Sequence, residues 1–185
     1  DGLRALAEGL TALGDVIVVA PAKESSAVGH ALTVRRPLTL REVGEAWYSV
    51  DGTPTDCVNV AVSELLGQVP ALVVSGINNG LNVGDDVTYS GTVAGALEGI
   101  LLGAPALAVS LQRSAEPMDY APATAVAVQL AHVVLDQGLP RRTLLNVNVP
   151  RGAPGGLRVT VQATRTQTVG THQLPGAGGQ SSVWI

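Results

Sequence analysis

The stretch Ala71–Leu111, ALVVSGINNGLNVGDDVTYSGTVAGALEGILLGAPALAVSL, decides the fold. It opens on Ala71-Leu-Val-Val-Ser75, a short β-branched run with the continuous apolar character of a strand buried on both faces. A loop rich in Gly and Asn follows, and Ser90 to Leu102 then reads as a helix. The first face of that helix is small, with Gly91, Ala94 and Gly95, which predicts close packing against a neighbour. Pro105 to Leu111 is a second apolar strand. A strand, a helix and a strand in this order form the unit that lays two parallel strands side by side under a crossing helix.

The flanking sequence repeats the pattern. Leu3, Leu6, Leu10 and Leu13 form one stripe of a helix that Gly14 ends, and Asp15 to Pro21 is a third buried strand. Ala31 to Val43 reads as extended structure broken by Pro37, and Trp47 to Val50 as another strand. Thr53 then caps a helix running to about Leu66, with Pro54 at its first position and Asp56 completing a capping box. Pro122 to Leu135 is a further helix and Leu144 to Val149 a further strand. The expected architecture is therefore α/β, a doubly wound and mostly parallel sheet of Rossmann-like, three-layer form. Residues 1–150 make the core. Residues 151–185 change character: Gly, Pro, Thr and Gln dominate, with strand-like pieces at Leu157–Thr164 and Ser181–Ile185. They are expected to form a C-terminal β-hairpin or arm for oligomerisation.

Bulk properties narrow the function. The chain has 185 residues, 46% apolar and only 14% charged, with a formal net charge of -4. No basic run exceeds Arg141-Arg142, which disfavours stable nucleic-acid binding through phosphate contacts. One cysteine, Cys57, allows no intrachain disulfide and agrees with a cytoplasmic setting. No apolar run is long enough to cross a bilayer. The low charge suggests that part of the surface meets other subunits.

Ligands of open α/β sheets sit beyond the carboxyl ends of the strands. Two loops qualify, Lys23–His30 and Ser75–Val93. Over nineteen residues the second carries four Gly, three Asn, two Asp and two Ser before entering its helix at Ser90-Gly91-Thr92. A helix N-terminus offers free N–H groups and partial positive charge, so it holds a phosphate without Lys or Arg. The oxygens of Asn78, Asn82, Asp85 and Asp86 suit Mg²⁺, Mn²⁺ or Ca²⁺. Asp85 and Asp86 fit a solvated turn or a cap equally well, and Ser90 and Thr92 also fit plain helix N-caps. No Walker-type nucleotide loop and no Cys/His cluster is present. His30 reads either as orienting its loop or as a hydrogen-bonded structural residue, and His132 as a core or interface residue.

Four segments together resemble the SurE family of stationary-phase survival proteins. They are Ala20-Pro21 with Glu24–Ala31, Gly52–Val58, Ser75–Val93 and Leu145–Pro150. The resemblance implies a divalent-metal-dependent phosphomonoesterase, a 5′/3′-nucleotidase hydrolysing nucleoside monophosphates, working as a homo-oligomer, either dimer or tetramer. It places metal ligands on Ser26 and Asn78 and phosphate-side residues on Asn82, Ser90, Gly91 and Thr92. The family's consecutive Asp pair, in an Asn-Asp-Asp-Gly motif ending the first strand, is expected to precede residue 1, because Gly2-Leu3 matches the start of the first helix. The catalytic group is therefore unknown from these residues. Absence of that strand would leave an exposed edge or a gap in the sheet. The alternative is a catalytically incomplete fragment that only binds a ligand or serves as an oligomeric scaffold.

Overall fold

The computed structural model describes residues 1–114, 117–152, 155–164, 170–175 and 181–184. Asp1 caps the first helix, α1 (Gly2–Leu10), by accepting the N–H of Arg4 at 2.9 Å. Its leucine stripe turns inward, with Leu6 only 2% exposed. The helix stops at Leu10, short of the predicted Leu13. Thr11 turns its hydroxyl back onto the carbonyl of Glu8, and the chain continues in a loose turn to Gly14. Strand β1 (Val18–Pro21) follows, then the hairpin of β2 (Leu40–Gly44) and β3 (Trp47–Val50). The predicted extended segment from Ala31 narrows to β2. Residues 31–39 make no ladder, and Arg36 instead donates to the carbonyls of Pro37 and Asp51.

Helix α2 (Pro54–Val60) has the predicted cap: the Thr53 hydroxyl accepts from Asp56 N–H, and the Asp56 carboxylate accepts from Thr53 N–H. It continues as a π-helical segment, Ala61–Leu66. Strand β4 (Val73–Asn79) runs further than expected, through Asn79, so the loop proper is shorter. A 3₁₀ turn, Gly84–Tyr89, leads into α3 (Gly91–Leu101). Then come β5 (Ala106–Leu111), α4 (Ala121–Gln137) and β6 (Leu144–Val149). Every residue of β5 is buried, as its unbroken apolar sequence requires of a central strand.

Strands β4, β5 and β6 are parallel neighbours in that order, and β1 pairs parallel with β3, whose other edge carries β2 antiparallel. Helices α1 and α4 cover one face of β4–β6, where Leu6, Ile77, Leu107, Val109, Val126 and Val134 pack together. Helix α3 covers the other face through Val93 and Ala96 against Ala106 and Ala108. This is the expected three-layer α/β arrangement. Among the described residues, however, β1 and β4 do not pair. A cavity of about 410 Å³ lies between them, lined by apolar side chains of α1, β1, the α2 segment and β4.

In the tail, β7 (His172–Pro175) and β8 (Ser181–Trp184) pair antiparallel, and among the described residues they pair with no other strand. The predicted strand at Leu157–Thr164 is absent: among the described residues that segment meets no sheet edge, and Val159 and Val161 stand in solvent. Its tie to the core is Gln162, whose Nε2 donates to the carbonyl of Gly84. His132 is exposed on α4, so it is no core residue.

Candidate active site

The carboxyl ends of β1, β4, β5 and β6 carry the two loops picked out by composition. Ser90 is the N-cap of α3, and its hydroxyl oxygen accepts the N–H of Val93 at 3.1 Å. That leaves the Ser90 O–H as a donor, together with the N–H groups of Gly91 and Thr92, which have no intrahelical partner. The helix end is held low over the sheet by its small residues. A Cβ on Gly95 would stand 2.9 Å from Ser75 Oγ, and one on Gly99 2.8 Å from Val73 Cβ.

Asn82 is 8% exposed and sits in a neutral hydrogen-bond network. Its N–H donates to Asn148 Oδ1 (2.8 Å) and its Nδ2 to Ser110 Oγ (2.7 Å). Its carbonyl accepts from both Asn146 and Asn148 (2.9 Å each). The loop is thus pinned to the ends of β5 and β6. Ser110 is also the register partner of Asn78, which places Asn78 and Asn82 on the same strand ends. The Asn78 amide nitrogen donates to Gly80 O at 2.8 Å, and its Oδ1 makes no hydrogen bond among the described residues.

Ser26 lies in the exposed loop after β1, donating to Glu24 Oε1 at 3.0 Å. Two left-handed residues shape this loop, Ala27 (φ 55) and Gly29 (φ 56). It docks on the entrance to α3: Gly29 N–H donates to Tyr89 O at 3.0 Å, and a Cβ on Gly91 would come 3.2 Å from Ser25 O. The fold therefore brings the Ser26 loop against Ser90–Thr92, and Asn78 together with Asn82. Asp85 and Asp86 occupy the first turn of the 3₁₀ segment.

Several neighbours were not picked out from the sequence. Ser110, Asn146 and Asn148 clamp Asn82, and only the alternation of Asn146 and Asn148 within β6 hinted at one shared face. Arg113 follows β5 and places its guanidinium 3.5 Å from Asn79 O, a cation at the strand ends with no sequence signal. Glu98 is a helix residue whose sequence suggests a solvated face, yet it is 5% exposed and bonded to His30 and Asn59.

The oxygens of Ser26 and Asn78 are the right kind of donor for a hard divalent cation, which takes about six to eight oxygens as Ca²⁺ or about six as Mg²⁺. Among the described residues no group of three or more His, Cys, Asp or Glu gathers to hold a metal. These residues therefore fit the rim of such a site, and its charge-neutralising carboxylates are not among them.

Comparison with known proteins gives this geometry a family. The family described as Survival protein SurE matches residues 1–169. The chain belongs to the SurE family. Among SurE relatives, a protein of Geobacter metallireducens named 5′-nucleotidase SurE is 55% identical over 188 aligned positions, covering 100% of this chain and 74% of the relative. A protein of the same name from Geotalea daltonii is 59% identical over 187 positions, covering 100% and 75%. A crystal structure of the SurE protein from Aquifex aeolicus superposes with a TM-score of 0.87 at 41% identity, covering 98% of this chain and 75% of that one. The SurE fold is thus shared well beyond the loop that first suggested it.

Proposed function

We propose that this SurE chain is the core of a 5′-nucleotidase, a phosphomonoesterase that cleaves nucleoside monophosphates to nucleoside and phosphate. The observation that carries the reading is the Ser90-capped end of α3, held at the ends of β4–β6 beside the Ser26 loop. The N–H groups of Gly91 and Thr92 and the hydroxyls of Ser90 and Thr92 would bind the non-bridging phosphate oxygens. The N–H groups are held in place by the helix before substrate arrives, so they favour the charge that develops on those oxygens in the transition state. The clamp on Asn82 ties that loop to the ends of β5 and β6. Ser26 and Asn78 would hold one divalent ion (Mg²⁺, Mn²⁺ or Ca²⁺) together with carboxylates outside the described residues. When bound, the ion supplies Lewis acidity to a phosphoryl oxygen. No observation of the fold favours the scaffold-only alternative.

The wider organisation belongs to the same proposal. A strand bearing the family's Asp pair would fit the cavity between β1 and β4, joining the two half-sheets. Residues 151–185 would form the arm of a dimer or tetramer; the self-paired strands β7 and β8 and the exposed Leu157, Val159 and Val161 support this. Among the described residues no helix is long and apolar enough to cross a membrane, and a cytoplasmic site of action suits the single reduced Cys57.

The test is phosphate release from AMP by the intact protein with Mn²⁺, Mg²⁺ or Ca²⁺. Asn78→Ala and Ser26→Ala should weaken both Mn²⁺ binding and turnover. Release no faster than in buffer with every ion would sink the assignment.

A further inference from the structure

We infer that Glu98 is a positioning residue of this site, clamping the Ser26 loop through His30. The inference rests on the nucleotidase reading above and deepens it. Glu98 lies on α3, two turns below the phosphate-facing end. Its side chain is 7% exposed, and both carboxylate oxygens are engaged at 2.6 Å: Oε2 by His30 Nε2 and Oε1 by Asn59 Nδ2. A carboxylate only accepts, so both partners donate to it. Asn59 Nδ2 also reaches Thr55 O at 3.2 Å, which ties the group to α2.

Taking a carboxylate out of water costs several kcal/mol, and an apolar side chain would join α2 to α3 more cheaply. What an apolar side chain would not do is hold a loop at a fixed point. His30 comes from the loop after β1, and the residue before it, Gly29, donates to the carbonyl of Tyr89, next to the Ser90 cap. On the far side, Ala31 O accepts from Thr53 Oγ1 at 2.7 Å and Thr33 N–H donates to Asp56 Oδ1 at 2.9 Å. The loop is therefore pinned on both sides of His30, and Glu98 sets where the segment carrying Ser26 lies relative to the end of its own helix. One rigid helix holds both the phosphate donors and the anchor of the loop that faces them.

The experiment compares wild type, E98A, E98Q and H30A in the intact protein. Steady-state AMP hydrolysis is measured with Mn²⁺, and hydrogen exchange is followed at the Gly29 amide. Misplacing a reacting group by about 1 Å costs about 100-fold, so E98A and H30A should lose about 10- to 100-fold in kcat. KM should move much less than kcat. Gly29 should exchange faster in both. Gln keeps an acceptor for Asn59 and can donate to His30 once the imidazole carries its proton on Nδ1, so E98Q should recover most of the rate and the protection. A folded E98A or H30A with wild-type kcat overturns the inference, as does a slow variant with unchanged Gly29 protection. If E98A fails to fold, H30A decides by the same readings, since His30 lies on a loop. If wild type itself releases no phosphate, the nucleotidase reading falls, and the Gly29 exchange of H30A still decides whether the clamp exists.

Discussion

Truncating Asn148 to alanine tests whether the loop's clamp is what prepares the site. In the native structure Asn148 makes two bonds to one residue, accepting the Asn82 N–H at 2.8 Å and donating to the Asn82 carbonyl at 2.9 Å. After truncation the carbonyl keeps its bond from Asn146. The Asn82 N–H keeps nothing, in a residue only 8% exposed. An orphaned donor of this kind costs about 1–3 kcal/mol. If the loop must hold its native geometry in the transition state, the same energy is lost from kcat/KM, a drop of about 5- to 150-fold. Urea denaturation and AMP hydrolysis measure the two losses separately. Ser110→Ala removes the partner of Asn82 Nδ2. Because both changes release the same residue, the double variant should lose less than the sum of the singles. An Asn148→Ala protein with kcat/KM within about twofold of wild type would refute the claim that the clamp prepares the site.

Three further outcomes are expected. Ser90→Ala should cost only about 1 kcal/mol of stability as a lost cap but about 100-fold in turnover as a lost donor; a large fall in Tm with turnover retained would leave Ser90 a cap alone. For Asp56, burial pushes the pKa up, but the N–H bonds from Thr33 and Thr53 outweigh it and hold it below its ordinary 3.8. Its ionised form thus contributes stability above that value and loses it as pH falls through the lower folded value, so the loss of stability below about pH 4 should be steeper in wild type than in Asp56→Asn. Burial, with the Asp56 charge beside it, pushes the Cys57 thiol up to about 12; thiol reagents at pH 8 should label it only at the rate of unfolding, and fast labelling without urea would contradict its burial.

Much of the frame was legible because its signals are local. The capping box at Thr53–Asp56, the Ser90 cap and the strand at Leu144–Val149 all stand as residue types and spacing suggested. What was not legible depends on partners far along the chain. Asn82 and Asn148 are 66 residues apart, and His30 and Glu98 are 68 apart. No periodicity announces such pairs, and Glu98 is buried only because α2 and the β1 loop close over it. The opposite holds at Leu157–Thr164, which reads as strand-like in sequence. A strand needs an edge to bond, and among the described residues none is offered there.

The tight seat of α3 has a consequence for inheritance. Gly95 and Gly99 lie where α3 meets β4, and an added methyl at either would press on Ser75 or Val73. The N–H of Gly91, proposed above to face the phosphate, sits at the other end of the same helix, about 12 Å along its axis from Gly99. Overpacking of this kind costs about 1–3 kcal/mol of stability, and any outward shift of the helix would carry its N-terminal end with it. Selection for a working protein would then guard these two glycines as it guards the residues of the proposed site, and a screen for lost function would recover them as well.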